Sequence, residues 1–130
     1  MKRSAVLVLL LVLAGTAGVV LAGTIYQLTC ANDACHYKGE ANFGGGRMFA
    51  MATGWCTTCG DFTGISWKRS EKKPAPAFTL WDSKTGKTLE LHACPKCKKP
   101  FLPIESIEDL THCPKCGQDG LKHQRTIMYD

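Results

Sequence analysis

Cys94-Pro95-Lys96-Cys97 and Cys113-Pro114-Lys115-Cys116-Gly117 are the two stretches on which the reading of this chain turns. Together they spell C-x₂-C-x₁₅-C-x₂-C, a spacing that falls within the range of a four-cysteine zinc site. Two residues between cysteines make a tight turn that aims both sulfurs at one point while its backbone N–H groups bond the thiolates. Pro95 and Pro114 pre-set φ for that turn, and Gly117 relieves the backbone where the chain leaves it. Lys96, Lys98, Lys99 and Lys115 surround a centre that carries net negative charge once four thiolates hold a dication.

These two knuckles resemble those of the zinc-ribbon superfamily. Over Cys94 to Met128 the resemblance implies a three-stranded antiparallel ribbon. It says much less about function, since ribbons of this kind serve many processes.

Working outward, four further cysteines lie upstream. Cys30, Cys35, Cys56 and Cys59 spell C-x₄-C-x₂₀-C-x₂-C, and Cys56-Thr57-Thr58-Cys59-Gly60 is again a glycine-ended knuckle. The wider Cys30–Cys35 turn departs from the commonest ribbon pattern but still reaches tetrahedral geometry. Each set of four has one knuckle ending in glycine, Gly60 or Gly117. The expectation is one zinc per half of the chain, two in all: Cys30, Cys35, Cys56 and Cys59 on one ion, and Cys94, Cys97, Cys113 and Cys116 on the other.

Between the sets runs Lys68-Arg69-Ser70-Glu71-Lys72-Lys73-Pro74-Ala75-Pro76-Ala77, charge followed by alternating proline and alanine, which reads as an extended linker. The chain is thus expected to divide into 1–22, a targeting segment; 23–67, a first ribbon; 68–77, a linker; and 78–130, a second ribbon. Short strands between turns are expected throughout, at 24–29, 37–43, 47–53, 62–68, 78–81, 88–93, 101–104 and 122–128. Asp82-Ser83-Lys84-Thr85-Gly86-Lys87 reads as a hairpin loop, and Ser106-Ile107-Glu108-Asp109 as one helical turn with Asp109 in the capping-box position. The fold class is a small β-rich, metal-stabilised protein of two zinc ribbons, following an N-terminal apolar helix, with tryptophans 55, 67 and 81 as core.

Met1-Lys2-Arg3 gives a short positive end, and no charge follows until Asp33. Ala5 to Leu13 is wholly apolar, and Val20-Leu21-Ala22 before Gly23 offers a cleavage site for a signal peptidase. Cleavage after Ala22 and an uncleaved anchor through residues 5–25 both remain open, at about 20 residues for a span. Either way Lys2 and Arg3 stay inside, and the rest of the chain is expected outside the cytoplasm: periplasmic, secreted or membrane-anchored.

The formal charge of +5 suggests nucleic acid or an anionic membrane. Two zinc ions on eight thiolates lower it to about +1, and loss of Lys2 and Arg3 takes it to about −1, which argues against nucleic acid. Disulfides are disfavoured by the three C-x₂-C pairs, whose loops are too short to gain much from closure. An iron centre resembling rubredoxin, or a thiol switch, is the alternative from another class; a nucleic-acid-binding ribbon is a third. His36, His92 and His112 stand near cysteines but are surplus to two complete sulfur sets. Met48, Met51 and Phe49 read as strand packing. With no catalytic arrangement in the sequence, the expectation is a non-catalytic structural module that meets a protein partner.

Overall fold

The strand positions follow from residue type. Runs rich in Thr, Ile, Tyr, Phe and Trp alternate with glycine-bearing turns, and pleated backbone accommodates branched and aromatic side chains best. In a computed structural model, which describes residues 22–129, these runs form eight strands. They are β1 (Gly23–Cys30), β2 (Lys38–Phe43), β3 (Phe49–Cys56), β4 (Asp61–Lys68), β5 (Phe78–Asp82), β6 (Lys87–Ala93), β7 (Pro100–Ile104) and β8 (Leu121–Tyr129). The apolar helix expected before Gly23 lies outside the described residues, as does the cleavage-or-anchor question. Among the described residues no helix is long and apolar enough to cross a membrane. The expected turn at Ile107–Asp109 is a 3-10 turn without the expected side-chain cap: Ser106 Oγ donates to Glu108, and the Asp109 N–H donates to the Ser106 carbonyl.

The strands form two antiparallel sheets, β2-β1-β8 and β4-β3-β7-β6-β5. Both cross the expected division. β1, from the first half, pairs with β8, from the last, over Gly23↔Tyr129 to Cys30↔Leu121 with an irregularity at Ile25/Tyr26. β3 pairs with β7 through Thr53↔Ile104, Gly54↔Pro103 and Trp55↔Leu102. Residues 69–77 do form an exposed connection between β4 and β5. They do not separate two self-contained ribbons, and Cys94 to Met128 is not a three-stranded ribbon, because β8 leaves β6 and β7 for β1.

The physical reason lies in β3. An ideal Cβ on Gly54 would stand 2.2 Å from the Leu102 carbonyl oxygen, so the absence of a side chain there lets β7 come close. A central strand also satisfies backbone groups on both edges, and β3 obtains its second partner only from the other half.

The core between the sheets gathers Leu28, Tyr37, Ala41, Phe62, Ile107 and Leu121 with Cys30 and Cys113. Cys56, Cys94 and Phe101 form a smaller second cluster. Four of the twelve buried apolar residues are cysteines, so the sulfur clusters are the centre of the core and not an addition to it.

The tryptophans divide. Trp55 packs edge-on between Tyr37 and Phe62, with ring centroids 5.9 and 5.1 Å away. Trp67 is half-buried, and Trp81 is 64% exposed on the edge strand β5, so it is not core. Met48 and Phe49 are likewise exposed, against the expected strand packing, while Met51 is half-buried.

Candidate metal centres

Three of the four cysteine pairs sit where a strand ends and the chain turns, and the fourth, Cys113–Cys116, lies between the 3-10 turn and β8. Cys30 closes β1; its N–H donates to the Tyr37 carbonyl at 3.1 Å, and its sulfur accepts the Asn32 N–H at 3.4 Å. Cys35 N–H donates to the Asn32 carbonyl at 3.0 Å, tightening the longer turn. Cys56 closes β3, and Gly60 N–H returns to its carbonyl at 2.9 Å. Cys94 follows β6 and is bracketed by Lys98 N–H donating to its carbonyl at 2.9 Å and its own N–H donating to Lys99 at 2.8 Å. Cys113 is held in the same way by Gly117 and Gln118, at 2.7 and 2.8 Å.

All four turns share one backbone feature. The residue after the second cysteine is left-handed in every case: His36 (φ 52°), Gly60 (64°), Lys98 (63°) and Gly117 (72°). That conformation suits glycine and costs a side-chain-bearing residue about 1–2 kcal/mol, so His36 and Lys98 hold it against their own preference.

The sulfurs group in two sets, each lying within 4.8 Å of one another: Cys30, Cys35, Cys113 and Cys116; and Cys56, Cys59, Cys94 and Cys97. All eight expected ligands are therefore in four-sulfur clusters, but the partners are exchanged. Cys30–Cys35 meets Cys113–Cys116 and not Cys56–Cys59, and Cys56–Cys59 meets Cys94–Cys97. The cause is the strand pairing: β1–β8 carries the first pair to the last, and β3–β7 carries the second to the third. Ala31 N–H donating to the Gly120 carbonyl at 3.1 Å ties the two turns of the first cluster together.

The geometry fits one tetrahedral ion in each. A metal–sulfur bond of about 2.3 Å places tetrahedral sulfurs about 3.8 Å apart. The observed separations are 3.7 Å for Cys30–Cys116, 3.8 Å for Cys35–Cys113, 3.4 Å for Cys56–Cys97 and 3.8 Å for Cys59–Cys94. All eight cysteines are unbridged. Four thiolates in this arrangement select zinc or iron over harder cations such as Mg²⁺ or Ca²⁺.

Electrostatics set each cluster up for a dication. The Cys97 N–H, followed by lesser donors that include the hydroxyl of Thr63, 3.6 Å from its sulfur, holds the Cys94 thiol down at about 6. The Gln118 N–H holds Cys116 at about 7. Their neighbours go the other way: hydrogen bonding with Cys97 and burial push Cys59 up to about 12. Cys30 also reaches about 12, where the Asn32 N–H pulls it down but burial and the crowd of sulfurs prevail. A metal ion that displaces the remaining protons relieves that crowding.

The three nearby histidines lie outside both sulfur sets. His36 is exposed in the turn after Cys35, and His112 is exposed beside Thr111. His92 is buried, its Nε2 unpartnered, with its ring 6.1 Å from that of Phe101. Sequence reasoning missed Gly54, which lets β7 come close to β3, and Tyr37, whose carbonyl accepts from Cys30 N–H and whose ring packs on Trp55. An isolated glycine inside a strand of otherwise larger residues was the available signal for the first. In the comparison with known proteins, no family model, no curated protein and no solved structure matches this chain. The fold and site thus define an antiparallel β protein with two four-cysteine metal-binding clusters, compatible with modules of the zinc-ribbon kind.

Proposed function

We propose that this is a non-catalytic, extracytoplasmic scaffold in which two structural zinc ions hold an interleaved β fold that serves a protein partner. The observation that carries the reading is the closure of both sulfur sets. Four mutually adjacent thiolates fill a tetrahedral shell and leave no position for water or substrate, as in structural zinc sites and unlike catalytic ones. The zinc also supplies what a small core lacks: binding worth about 10–16 kcal/mol is folding free energy when the site exists only in the folded state. Placement outside the cytoplasm rests on Lys2 and Arg3 followed by an uncharged run to Asn32. The partner surface is best supplied by β5, an edge strand whose Phe78, Leu80 and Trp81 are all exposed. Elemental analysis of protein purified from its native host tests the reading: two zinc ions per chain support it, and metal-free protein with oxidised cysteines rejects it.

One observation favours a second reading. Each cluster keeps one cysteine exposed, Cys59 or Cys116, which is the arrangement an iron centre would use to pass electrons through a surface sulfur. Colour separates the two, because ferric thiolate absorbs strongly in the visible and zinc thiolate does not.

A further inference from the structure

We propose that the end of the molecule bearing Ala22, the Gly44–Gly46 turn, Met48, Phe49, Ile127 and Met128 rests on an anionic lipid bilayer. This inference deepens the extracytoplasmic reading above and rests on its membrane-anchored form.

The first support is length. β1 begins at Gly23, so Thr24 and Ile25, which the sequence alone could give to an anchor, belong to the fold. What is left between Arg3 and β1 is Ser4–Ala22, nineteen uncharged residues. As a helix, nineteen residues at about 1.5 Å each would reach about 28 Å, against about 30 Å of hydrocarbon. Such a span would leave no spacer between bilayer and fold, so whatever surrounds Ala22 would meet the lipid interface.

The second support is what surrounds it. A Cβ on Gly44 would lie 2.7 Å from the Ala22 carbonyl oxygen, which places the glycine turn against the entering chain. Arg69 fixes that turn, donating from Nε to the Gly46 carbonyl and from Nη2 to the Gly44 carbonyl, both at 2.9 Å. Its own N–H donates to the Met48 carbonyl at 2.9 Å, bringing Met48 and Phe49 to the same end. On the other side, Thr24 pairs with Met128 and Ile25 with Ile127. Met48 is 67%, Met128 58% and Ile127 54% exposed, and Phe49 is exposed as well. Half of the exposed large apolar residues among those described thus lie around the point where an apolar chain of membrane-spanning length enters. In water such a patch is a liability; against lipid it is buried.

The third support is charge. Arg47, Lys68 and Arg69 belong to this end and are exposed, and Lys72 and Lys73 follow in the connection. Basic side chains beside apolar ones suit an anionic interface. Glu105 and Glu108 line a small cavity beside Ala22 and Thr24, and Glu71 lies near Arg69 in sequence; these oppose the attraction. The geometry therefore predicts a contact that combines apolar insertion with a moderate preference for anionic lipid.

The test uses the full chain with metal bound, added from detergent to vesicles of equal parts phosphatidylcholine and phosphatidylglycerol with brominated acyl chains. Met128→Trp, with Phe49→Trp as an independent second probe, reports on the proposed contact. Ser83→Trp reports on the tip of the β5–β6 hairpin. Emission is read as the difference from the unsubstituted chain, and flotation shows whether the chain is on the vesicles. The expected result is co-flotation, with most of the added emission at 128 or 49 lost and that at 83 retained. Replacing the phosphatidylglycerol by brominated phosphatidylcholine should reduce the quenching. Co-flotation with the 128 and 49 probes no more quenched than the 83 probe would overturn the proposed contact and leave the anchor intact. A chain that does not float would overturn the contact together with the anchored reading. Quenching that ignores the lipid charge would overturn the anionic preference.

Discussion

The sulfurs of Cys30 and Cys116 lie 3.7 Å apart although 86 positions separate them in the chain. A metal ion at that point would join the first described strand to the last turn, and its counterpart would join the turn after β3 to the turn after β6. Each ion would therefore fasten one half of the protein to the other.

That fastening can be read after cutting the chain. A protease site inserted between Lys73 and Pro74, in the exposed connection, should be cleavable without loss of the fold. The two pieces are expected to co-migrate in gel filtration while metal is bound and to separate when a chelator removes it. Pieces that part with one ion still on each would show that the halves are independent.

Gly54 is the place where β7 meets β3. Gly54→Ala puts a methyl carbon against the Leu102 backbone, which cannot rotate away as a side chain would. The expected cost is about 1–3 kcal/mol, seen as a lower denaturation midpoint of the metal-bound protein. An unchanged midpoint would mean that the two strands are farther apart than described.

The tryptophans make a paired comparison. Trp81→Ala should change stability by less than about 0.5 kcal/mol, since the ring is 64% exposed. Trp55→Ala removes the ring between Tyr37 and Phe62 and should cost at least about 2 kcal/mol. Denaturant titration of the two variants with metal bound decides between them, and the reverse order would refute the packing.

Metal binding should weaken as pH falls. The bound form needs all four sulfurs of a centre deprotonated, yet in the free protein Cys59 and Cys30 stay protonated up to about 12. Each centre must therefore release at least one proton at pH 8, and more as pH falls below about 7 at the centre of Cys116 and below about 6 at that of Cys94, where those sulfurs also take one up. Apparent affinity is expected to fall at least tenfold per pH unit between 8 and 6, measured against a chromophoric chelator corrected for its own titration. A flat profile would contradict the four-thiolate centre.

The strands and the eight clustered sulfurs were legible in the sequence, because both depend on short-range information: β-rich runs between turns, and paired cysteines in knuckle spacing. The partnership of the knuckles was not. Each C-x₂-C turn is half of a site, and any two halves make a complete set of four sulfurs. The glycine clue was equally ambiguous, since both the expected and the observed sets contain one glycine-ended turn, at Gly60 or Gly117. What decides the matter is the pairing of β1 with β8 and β3 with β7, contacts between remote segments that no local pattern encodes. Trp81 was misplaced for a related reason: its side-chain type suits a core, but the order of strands in the sheet leaves β5 on an edge.

The most direct test of the exchanged centres is metal counting by native mass spectrometry on two double variants. Cys30→Ser with Cys116→Ser removes two ligands from a single cluster and leaves Cys56, Cys59, Cys94 and Cys97 intact, so the chain should retain one ion. Cys30→Ser with Cys59→Ser, which damages both clusters, should retain none under the same conditions. If the halves instead held their own ions, the first variant would damage both centres and the second only one. One ion in the Cys30/Cys116 variant and none in the Cys30/Cys59 variant is the predicted result; the opposite pattern would contradict the interleaved fold.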